Sequence, residues 1–261
     1  MTLDEFHRMP WRLGWKHEYW DGQAQLSPQH ISVVTATVKV EPRPVNVAGH
    51  PSYTPPYEVR PVTEADLPQM LPTYFAAFEE TIDYCDWDPA RIKIAAKANL
   101  ESFFAGERGQ PLPASQVAVS ATEIVGAVLI VEKRNGQPLV DLLFVSPQWH
   151  RQGVATALGT AALNALYKAG YQCLTSRFML GNEASRTWHH HFGFVDEPDL
   201  FIARAYFSHA QHEVERHKAM DDLTSAAYAA LVAERDHWKQ QIEQVEAIAA
   251  QEGLDAVLPM L

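Results

Sequence analysis

The sequence predicts an α/β (α+β) protein, with a β-rich extension before its mixed region and a helical extension after it. Three observations favour this class. Between residues 57 and 207, short strand-type apolar runs alternate with longer segments that have helical apolar spacing. The Asp21-Gly22 step between short apolar runs predicts an early hairpin, and residues 208–261 carry apolar positions at helical spacing.

The chain begins with a segment rich in tryptophan, residues 1–41. Strands at His17–Trp20 and Gln23–Leu26 are predicted to flank the Asp-Gly turn, and a further strand is predicted at Ile31–Val40. The five prolines between residues 42 and 56 predict an extended linker. We therefore expect a hairpin extension that this linker joins to the main region.

The main region, residues 57–207, alternates between strands and helices. Thr63 followed by Asp66 is typical of a helix N-terminus, and Asn135-Gly136 predicts a hairpin turn. The predicted elements, in order, are strand Tyr57–Pro61, a helix from Thr63 to about Phe78, helix Pro89–Phe104, strands Gln116–Ser120, Ile124–Val131 and Leu139–Val145, helix Thr156–Lys168, strand Gln172–Met179, helix Glu183–His191 and a final strand near Phe201–Phe207.

The C-terminal segment, residues 208–261, is predicted to be helical. Leu231, Trp238 and Val245 recur every seven residues, while Glu, Lys and Gln cover the other faces. Such a stripe packs either on the protein's own body or on a second copy. A homodimer through residues 208–261 is therefore one expectation.

Composition excludes several classes of protein. The net charge of −11 argues against a nucleic-acid surface and mildly favours a cationic or amine-bearing acceptor. The apolar runs are too short to span a membrane, and the first residues do not resemble a signal peptide. Cys85 and Cys173 lie far apart without ligand spacing, which favours a reducing, cytoplasmic location and argues against a disulfide framework or a zinc site.

The most informative motif is Val145–Ala155. A strand-type run ends at Pro147, and a turn containing Gly153 opens the Ala- and Leu-rich helix that follows. A strand, a turn and a helix in this order leave backbone N–H groups free at the positive end of the helix dipole. The motif therefore predicts a site for a phosphate or pyrophosphate, which the small residues allow to approach the backbone.

A second motif follows at Asn182–Phe194. The first motif resembles the acyl-CoA-binding segment of the GCN5-related N-acetyltransferases (GNAT), V-x-P-x-x-R/Q-x-x-G-x-G/A, and the second resembles that family's N-x-x-A-x-x-x-Y-x-x-x-G-F. His150 stands where the family usually has Arg or Gln, with Arg151 displaced by one residue. Ser185 replaces the usual Ala, and His189 replaces the usual Tyr.

The resemblance covers about residues 57–207 and implies a mixed, mostly antiparallel sheet flanked by helices. It also implies acetyl-CoA as co-substrate, with its pantetheine arm between two splayed parallel strands, and no metal. The residues that it assigns to the cofactor are Leu143, Phe144, Val145, His150, Arg151, Gln152, Gly153, Val154, Ala155, Thr156 and Asn182. For Asn182, the alternatives are orienting the cofactor and fixing the turn before its helix.

Acetylation of an amine needs a base, because a free alkylamine is mostly protonated at neutral pH. Asp141, in the strand before the glycine turn, is the candidate base, and Glu132 is a second choice. Asp141 could equally be a hydrogen-bonded structural residue. His189 takes the position of the family's acid near the thioester sulfur, or thiolate departure needs no side-chain acid. His190 and His191 beside it point in different directions on a helix, which argues against a metal site.

The acceptor side is predicted from the family's architecture. The connection Glu79–Asp88 is acidic, with Tyr84 and Trp87 interleaved, so it either binds a cationic amine or forms a solvated loop. The favoured function is N-acyl transfer from acetyl-CoA to an amine, on a small molecule or a protein, by direct attack on the thioester. The alternative is a non-catalytic acyl-CoA-binding regulatory module. A third reading, a nuclease, rests on about twenty N-terminal residues that resemble a restriction-endonuclease-like family.

Overall fold

The structure, a computed structural model, describes residues 1–44 and 56–251. Residues 45–55 of the predicted linker and residues 252–261 of the predicted C-terminal extension lie outside the described part. The helices and strands are α1 (Leu3–Arg8), β1 (Trp15–Trp20), β2 (Gln23–Pro28), β3 (Val33–Lys39), β4 (Glu58–Pro61), α2 (Leu67–Phe78), α3 (Pro89–Phe104), β5 (Gln110–Pro111), β6 (Gln116–Ser120), β7 (Glu123–Glu132), β8 (Pro138–Val145), α4 (Val154–Lys168), β9 (Cys173–Met179), α5 (Glu183–Phe192), β10 (Val195–Asp196), α6 (Leu200–Met220) and α7 (Ser225–Gln251).

The main sheet runs in the order β10-β3-β9-β8-β7-β6-β4, with β5 beside β7. Its pairs β4–β6, β6–β7, β7–β8 and β10–β3 are antiparallel, whereas β8 and β9 are parallel. The predicted fold class, a mixed and mostly antiparallel sheet flanked by helices, is confirmed. It follows from short hairpin connections between β6, β7 and β8, and from the longer crossover through α4 that a parallel pair requires.

Helices cover both faces of this sheet. On one face, α2 and α3 pack with alternate residues of β7, in a buried cluster that includes Met70, Tyr74, Leu100 and Leu129. On the other face, α4 lies so close to β7 that a Cβ at Gly126 would stand 3.2 Å from Val154 Cγ1. Since β7 is buried on both faces, its sequence is a nearly continuous run of apolar residues.

The predicted final strand near Phe201–Phe207 is wrong, because these residues lie in the first turns of α6. Asp199 caps that helix by accepting a hydrogen bond from the Ile202 backbone N–H at 2.8 Å. Ile202, Ala203 and Tyr206 are its buried residues there, which is a helical and not an alternating spacing. The short strand β10 precedes α6 and pairs with β3 instead.

Two compact units divide the chain, and the main sheet with α2 to α5 lies in residues 35–178 and 182–197. The other unit, residues 1–34, 179–181 and 198–261, holds the β1–β2 hairpin at the predicted Asp-Gly turn and the helices α1, α6 and α7. Within that unit, Trp238 of α7 stacks on Tyr206 of α6, with ring centroids 4.4 Å apart. Of the predicted extension, residues 1–41, strand β3 pairs within the main sheet, and the predicted domain boundaries stay a prediction.

No helix in the described part of the chain is both long enough and apolar enough to cross a bilayer.

Candidate active site

The parallel strands β8 and β9 separate along their length. Their pairs are Leu139–Thr175 and Val140–Ser176, after which β8 continues to Val145 and β9 to Met179. Beyond Val140, the edge of β8 that faces β9 therefore has no strand partner in the described chain. We call this region the β8–β9 gap, and Val140 and Ser176 mark its closed end.

A β-bulge in β8 lies at the same closed end. On the other side of β8, Leu129 of β7 pairs with Leu142, whereas the next residue, Ile130, pairs with Val140. Asp141 is thus the extra residue of the bulge. Bulges redirect a side chain and interrupt the ladder, so the candidate carboxylate stands where pairing with β9 ends and the ladder with β7 is interrupted.

The glycine turn lies beyond the open part of β8. Pro147–Trp149 form a short 3-10 helix, and then Arg151 and Gly153 take left-handed backbone angles, with φ of 59° and 78°. Gly153 is the N-cap of α4, and no side chain caps this helix within the described residues. The N–H groups of the first turn are therefore available to an anion, as the motif predicts.

The two candidate cations of the turn, His150 and Arg151, have different surroundings in the structure. The imidazole of His150 folds back, and its Nε2 donates to the Val145 carbonyl at 3.1 Å. The Gln152 amide donates to the Gln148 carbonyl at 2.8 Å, so this side chain also braces the turn. Arg151 is exposed and has no hydrogen-bond or ion-pair partner among the described residues. Of the predicted flanking residues, Arg151 is therefore the one with an available charge.

Asp141 belongs to a polar network on the face of α2 and α3. Its side chain is 5% exposed, and its Oδ2 accepts a hydrogen bond from Arg108 Nε at 2.7 Å. Arg108 also donates to Asn99 Oδ1 of α3, while the Asn99 amide donates to Tyr74 Oη at 2.9 Å. Burial and the neighbouring Tyr84 raise the pKa of Tyr74, which keeps this phenol neutral. The predicted role of Asp141 as base stays a prediction, and proton transfer to it would compete with its ion pair.

His189 lies on the other face of the sheet and is 2% exposed. Its Nδ1 contacts the Ser185 carbonyl at 2.7 Å, and its Nε2 contacts Ser176 Oγ at 2.7 Å. Burial lowers the pKa of His189 to about 4, so the ring is neutral at neutral pH. Because a carbonyl can only accept, Nδ1 carries the proton, and Nε2 accepts from the Ser176 hydroxyl. The predicted role of His189 as an acid stays a prediction, and a proton from it would have to pass through Ser176.

Both the oxygen and the nitrogen of the Asn182 side-chain amide form hydrogen bonds. Its Oδ1 accepts from the Ser185 backbone N–H at 3.0 Å and so caps α5, and its Nδ2 donates to Asp83 Oδ2 at 3.1 Å. Of the two predicted roles, the geometry favours fixing the turn before α5. Contact with the cofactor stays a prediction. The bond to Asp83 also ties the connection between α2 and α3 to the start of α5.

Several side chains of the acidic connection between α2 and α3 already bind neighbouring residues of the protein. The Tyr84 hydroxyl lies 3.0 Å from Tyr74 Oη, and Asp88 caps α3 through the Arg91 backbone N–H. The Arg91 guanidinium lies 3.6 Å from the centroid of the Trp87 ring. That face of Trp87 is therefore closed to a cationic acceptor, which favours the structural interpretation of the aromatic pair.

The remaining candidates lie apart from the gap. Glu132, at the far end of β7, lies near Tyr171, and burial together with this carboxylate raises the pKa of the phenol. His190 pairs with Asp196 at 3.0 Å, and no group of three or more His, Cys, Asp or Glu side chains in the described chain could hold a metal ion.

Arg108 and Ser176 were not predicted. Arg108 lies in a Gly-containing loop and meets Asp141 across 33 residues, and Ser176 follows another small polar residue, Thr175, in β9, so neither carries a local signal.

Comparison with known proteins gives one family match. Residues 107–211 match the model of the acetyltransferase (GNAT) domain, so the resemblance predicted from the two motifs is confirmed over this part of the chain. No curated protein is similar enough in sequence to count as a relative.

Several solved structures are similar at low identity. A GCN5-related N-acetyltransferase from Sphaerobacter thermophilus is 15% identical, over 63% of this chain and 48% of its own, with a TM-score of 0.45. PaiA N-acetyltransferase from Thermoplasma acidophilum, in complex with coenzyme A, is 14% identical over 55% and 92%, with a TM-score of 0.45. An aminoglycoside acetyltransferase from an uncultured soil metagenomic sample, in complex with sisomicin, is 17% identical over 52% and 87%, with a TM-score of 0.37. This chain spans about half the length of the Sphaerobacter structure.

Proposed function

We propose that this protein is an N-acyltransferase that moves an acetyl group from acetyl-CoA to an amine by direct attack on the thioester. The observation that carries the proposal is the position of Asp141. The bulge at Asp141, the closed end of the β8–β9 gap and the uncapped start of α4 all lie on one segment, residues 140–156, inside the region that matches the GNAT domain.

Acetyl-CoA fits the described residues. The N–H groups of Val154, Ala155 and Thr156 hold the pyrophosphate, because Gly153 and Ala155 allow it to reach the backbone of an uncapped helix. Arg151 supplies the flanking positive charge, while His150 and Gln152 keep the turn in shape. The pantetheine amides bind the free edge of β8 at Leu143–Val145, as an added strand would.

The acceptor amine approaches from the face of α2 and α3, where Asp141 places a negative charge beside the bulge. A protonated amine is attracted to this carboxylate and must lose a proton before it attacks. Arg108 holds the carboxylate in one orientation. Because the network buries Tyr74 and ties down Tyr84, the acceptor contacts Asp141 and the rim of the gap rather than the interior of the α2–α3 connection.

Release of CoA thiol from acetyl-CoA across a panel of primary amines tests the proposal. The wild-type protein should release thiol in step with amide formation on at least one amine. Asp141→Ala should lower this rate by on the order of a hundredfold if the carboxylate acts in the reaction. Binding of acetyl-CoA without turnover on any amine would instead favour the non-catalytic acyl-CoA-binding module.

The cofactor site has a separate test in Arg151→Ala. We expect its affinity for acetyl-CoA to fall about tenfold, ~1.4 kcal/mol, because one charged contact to the pyrophosphate is lost. Arg134→Ala removes an equally exposed arginine from the β7–β8 hairpin and is the matched control. Titration calorimetry measures both, and equal affinities for the two variants would place the pyrophosphate away from this turn.

A further inference from the structure

Ser176 and His189 form a hydrogen-bonded pair that the predicted roles do not use. The pair lies at the closed end of the β8–β9 gap, since Ser176 is the last residue of β9 to pair with β8. It faces α5, whereas Asp141 faces α3 through Arg108 and Asn99. The two sides of the gap thus carry different titratable groups next to the same stretch of backbone.

The hydrogen bonds fix the direction of proton movement in this pair. His189 Nδ1 donates to the Ser185 carbonyl at 2.7 Å, so the Nε2 lone pair points at Ser176 Oγ, also 2.7 Å away. Phe178 and Phe194 pack on the ring, with centroids 4.6 and 4.9 Å away, and hold its orientation. A hydroxyl, a basic nitrogen and a carbonyl that orients the ring stand in line, which is the arrangement of an activated hydroxyl.

We infer that Ser176 is a further catalytic residue, which exchanges protons with the reacting groups through His189. This inference rests on the proposed function. The ammonium form of the amine first loses one proton to solvent. The neutral amine nitrogen then bonds to the thioester carbon, and its next proton passes to Ser176 Oγ while the serine proton passes to His189 Nε2. When the C–S bond breaks, the imidazolium returns a proton through Ser176 to the thiolate sulfur. The hydrogen lost by nitrogen ends on sulfur, and neither oxidant nor reductant is needed.

Burial of His189 acts in opposite directions on the two halves of this exchange. It makes the neutral ring a weaker base toward Ser176, and it makes the protonated ring a stronger acid, which gives its proton up readily to a thiolate. The charged groups that act on the ring are Asp196 of β10, which favours protonation, and His190 of α5, which opposes it. Asp141 attracts and orients the amine while Arg108 binds its Oδ2.

The test compares Ser176→Ala with Asp141→Asn in transfer from acetyl-CoA to a panel of primary amines that includes hydroxylamine. Ser176→Ala should lower kcat by on the order of a hundredfold and leave the KM for acetyl-CoA unchanged. In mixtures of H₂O and D₂O, the wild-type rate should curve with deuterium content, because two protons move together, and the variant rate should be linear. Ser176→Thr keeps the hydroxyl and should recover most of the rate.

Ser115→Ala is the matched control, because Ser115 is also 1% exposed and hydrogen-bonded but lies beside β6 and β7, away from the gap. It should keep the wild-type kcat. If Ser176→Ala transfers at the wild-type rate while Asp141→Asn does not, the inference is overturned and the proposed function stands with Asp141 as base. If the wild-type protein transfers to no amine, the proposed function and this inference both fail.

Discussion

On the α3 side of the β8–β9 gap, the carboxylate of Asp141 is paired with a guanidinium, whereas on the α5 side burial keeps the imidazole of His189 neutral. Asp141 hydrogen-bonds a cation that is one-third exposed, and His189 hydrogen-bonds a carbonyl and a hydroxyl in an apolar surrounding. Two residues that the sequence predicts as one acid–base pair thus stand in opposite electrostatic environments. In the mechanism that we propose, the charged side orients the amine and the neutral side moves the proton.

The largest expected effect on the free energy of unfolding concerns His189, on the neutral side of the gap. The lowering of the His189 pKa from its ordinary 6.5 to about 4 means that the unfolded chain binds a proton more readily than the folded protein. This contribution to the free energy of unfolding is fully present above pH 6.5, is lost as the pH falls, and amounts to about 3 kcal/mol. Urea unfolding between pH 4 and 7 measures it, as the difference between the wild type and His189→Gln. A difference that stays constant over this range would mean that the ring titrates freely.

The next effect concerns the charged side. Arg108→Ala leaves the Asp141 carboxylate, 5% exposed, without its cation, and we expect the free energy of unfolding to fall by about 2 kcal/mol. This is less than for a fully buried pair, because Arg108 is 32% exposed. Lys97→Ala removes a cation from an exposed pair with Glu101 and should cost less than about 0.5 kcal/mol.

A double-mutant cycle sharpens this prediction. Arg108→Ala combined with Asp141→Ala should cost less than the sum of the single changes, since the second change removes the unpaired charge. Additive costs would show that the two groups do not depend on each other, and the contrast between the two sides of the gap would then lose its charged member.

The smallest expected effect concerns Asn182, which contacts both sides. Asn182→Ala removes the cap of α5 and the bond to Asp83, and we expect a loss of about 1 kcal/mol in the free energy of unfolding. Asn182→Asp keeps the cap but places a carboxylate against Asp83, so it should free the α2–α3 connection while α5 stays intact. Hydrogen exchange of residues 79–88 measures this directly, and unchanged protection in Asn182→Asp would show that the bond to Asp83 does not hold the connection.

Local signals predicted most of the fold. The Asp21-Gly22 turn has positive φ at both residues, 48° and 78°, as a tight hairpin requires, and Pro89–Phe104 is a helix with the predicted bounds. The error near Phe201–Phe207 arose because seven mostly apolar residues fit a strand as well as a buried helical turn. The cap at Asp199 and the helical spacing of the buried residues in α6 favour the helix over the strand.

The site was harder to predict because it depends on register and on distant partners. Gly153 and the start of α4 follow from a local motif, whereas the bulge at Asp141 arises from how β8 pairs with β7 and leaves no mark in the sequence. Likewise, the pairing of Ser176 with His189 joins a strand to a helix, while the Ser185 carbonyl at Nδ1 sets the tautomer of the ring.

A crystal structure of the protein with bound acetyl-CoA would locate the thioester relative to both sides of the gap. We expect the pyrophosphate on the N–H groups of Val154–Thr156, the pantetheine along Leu143–Val145, and the thioester between the bulge at Asp141 and the hydroxyl of Ser176. Acetyl-CoA bound outside the β8–β9 gap, or with its thioester pointing away from Asp141 and Ser176, would contradict this expectation.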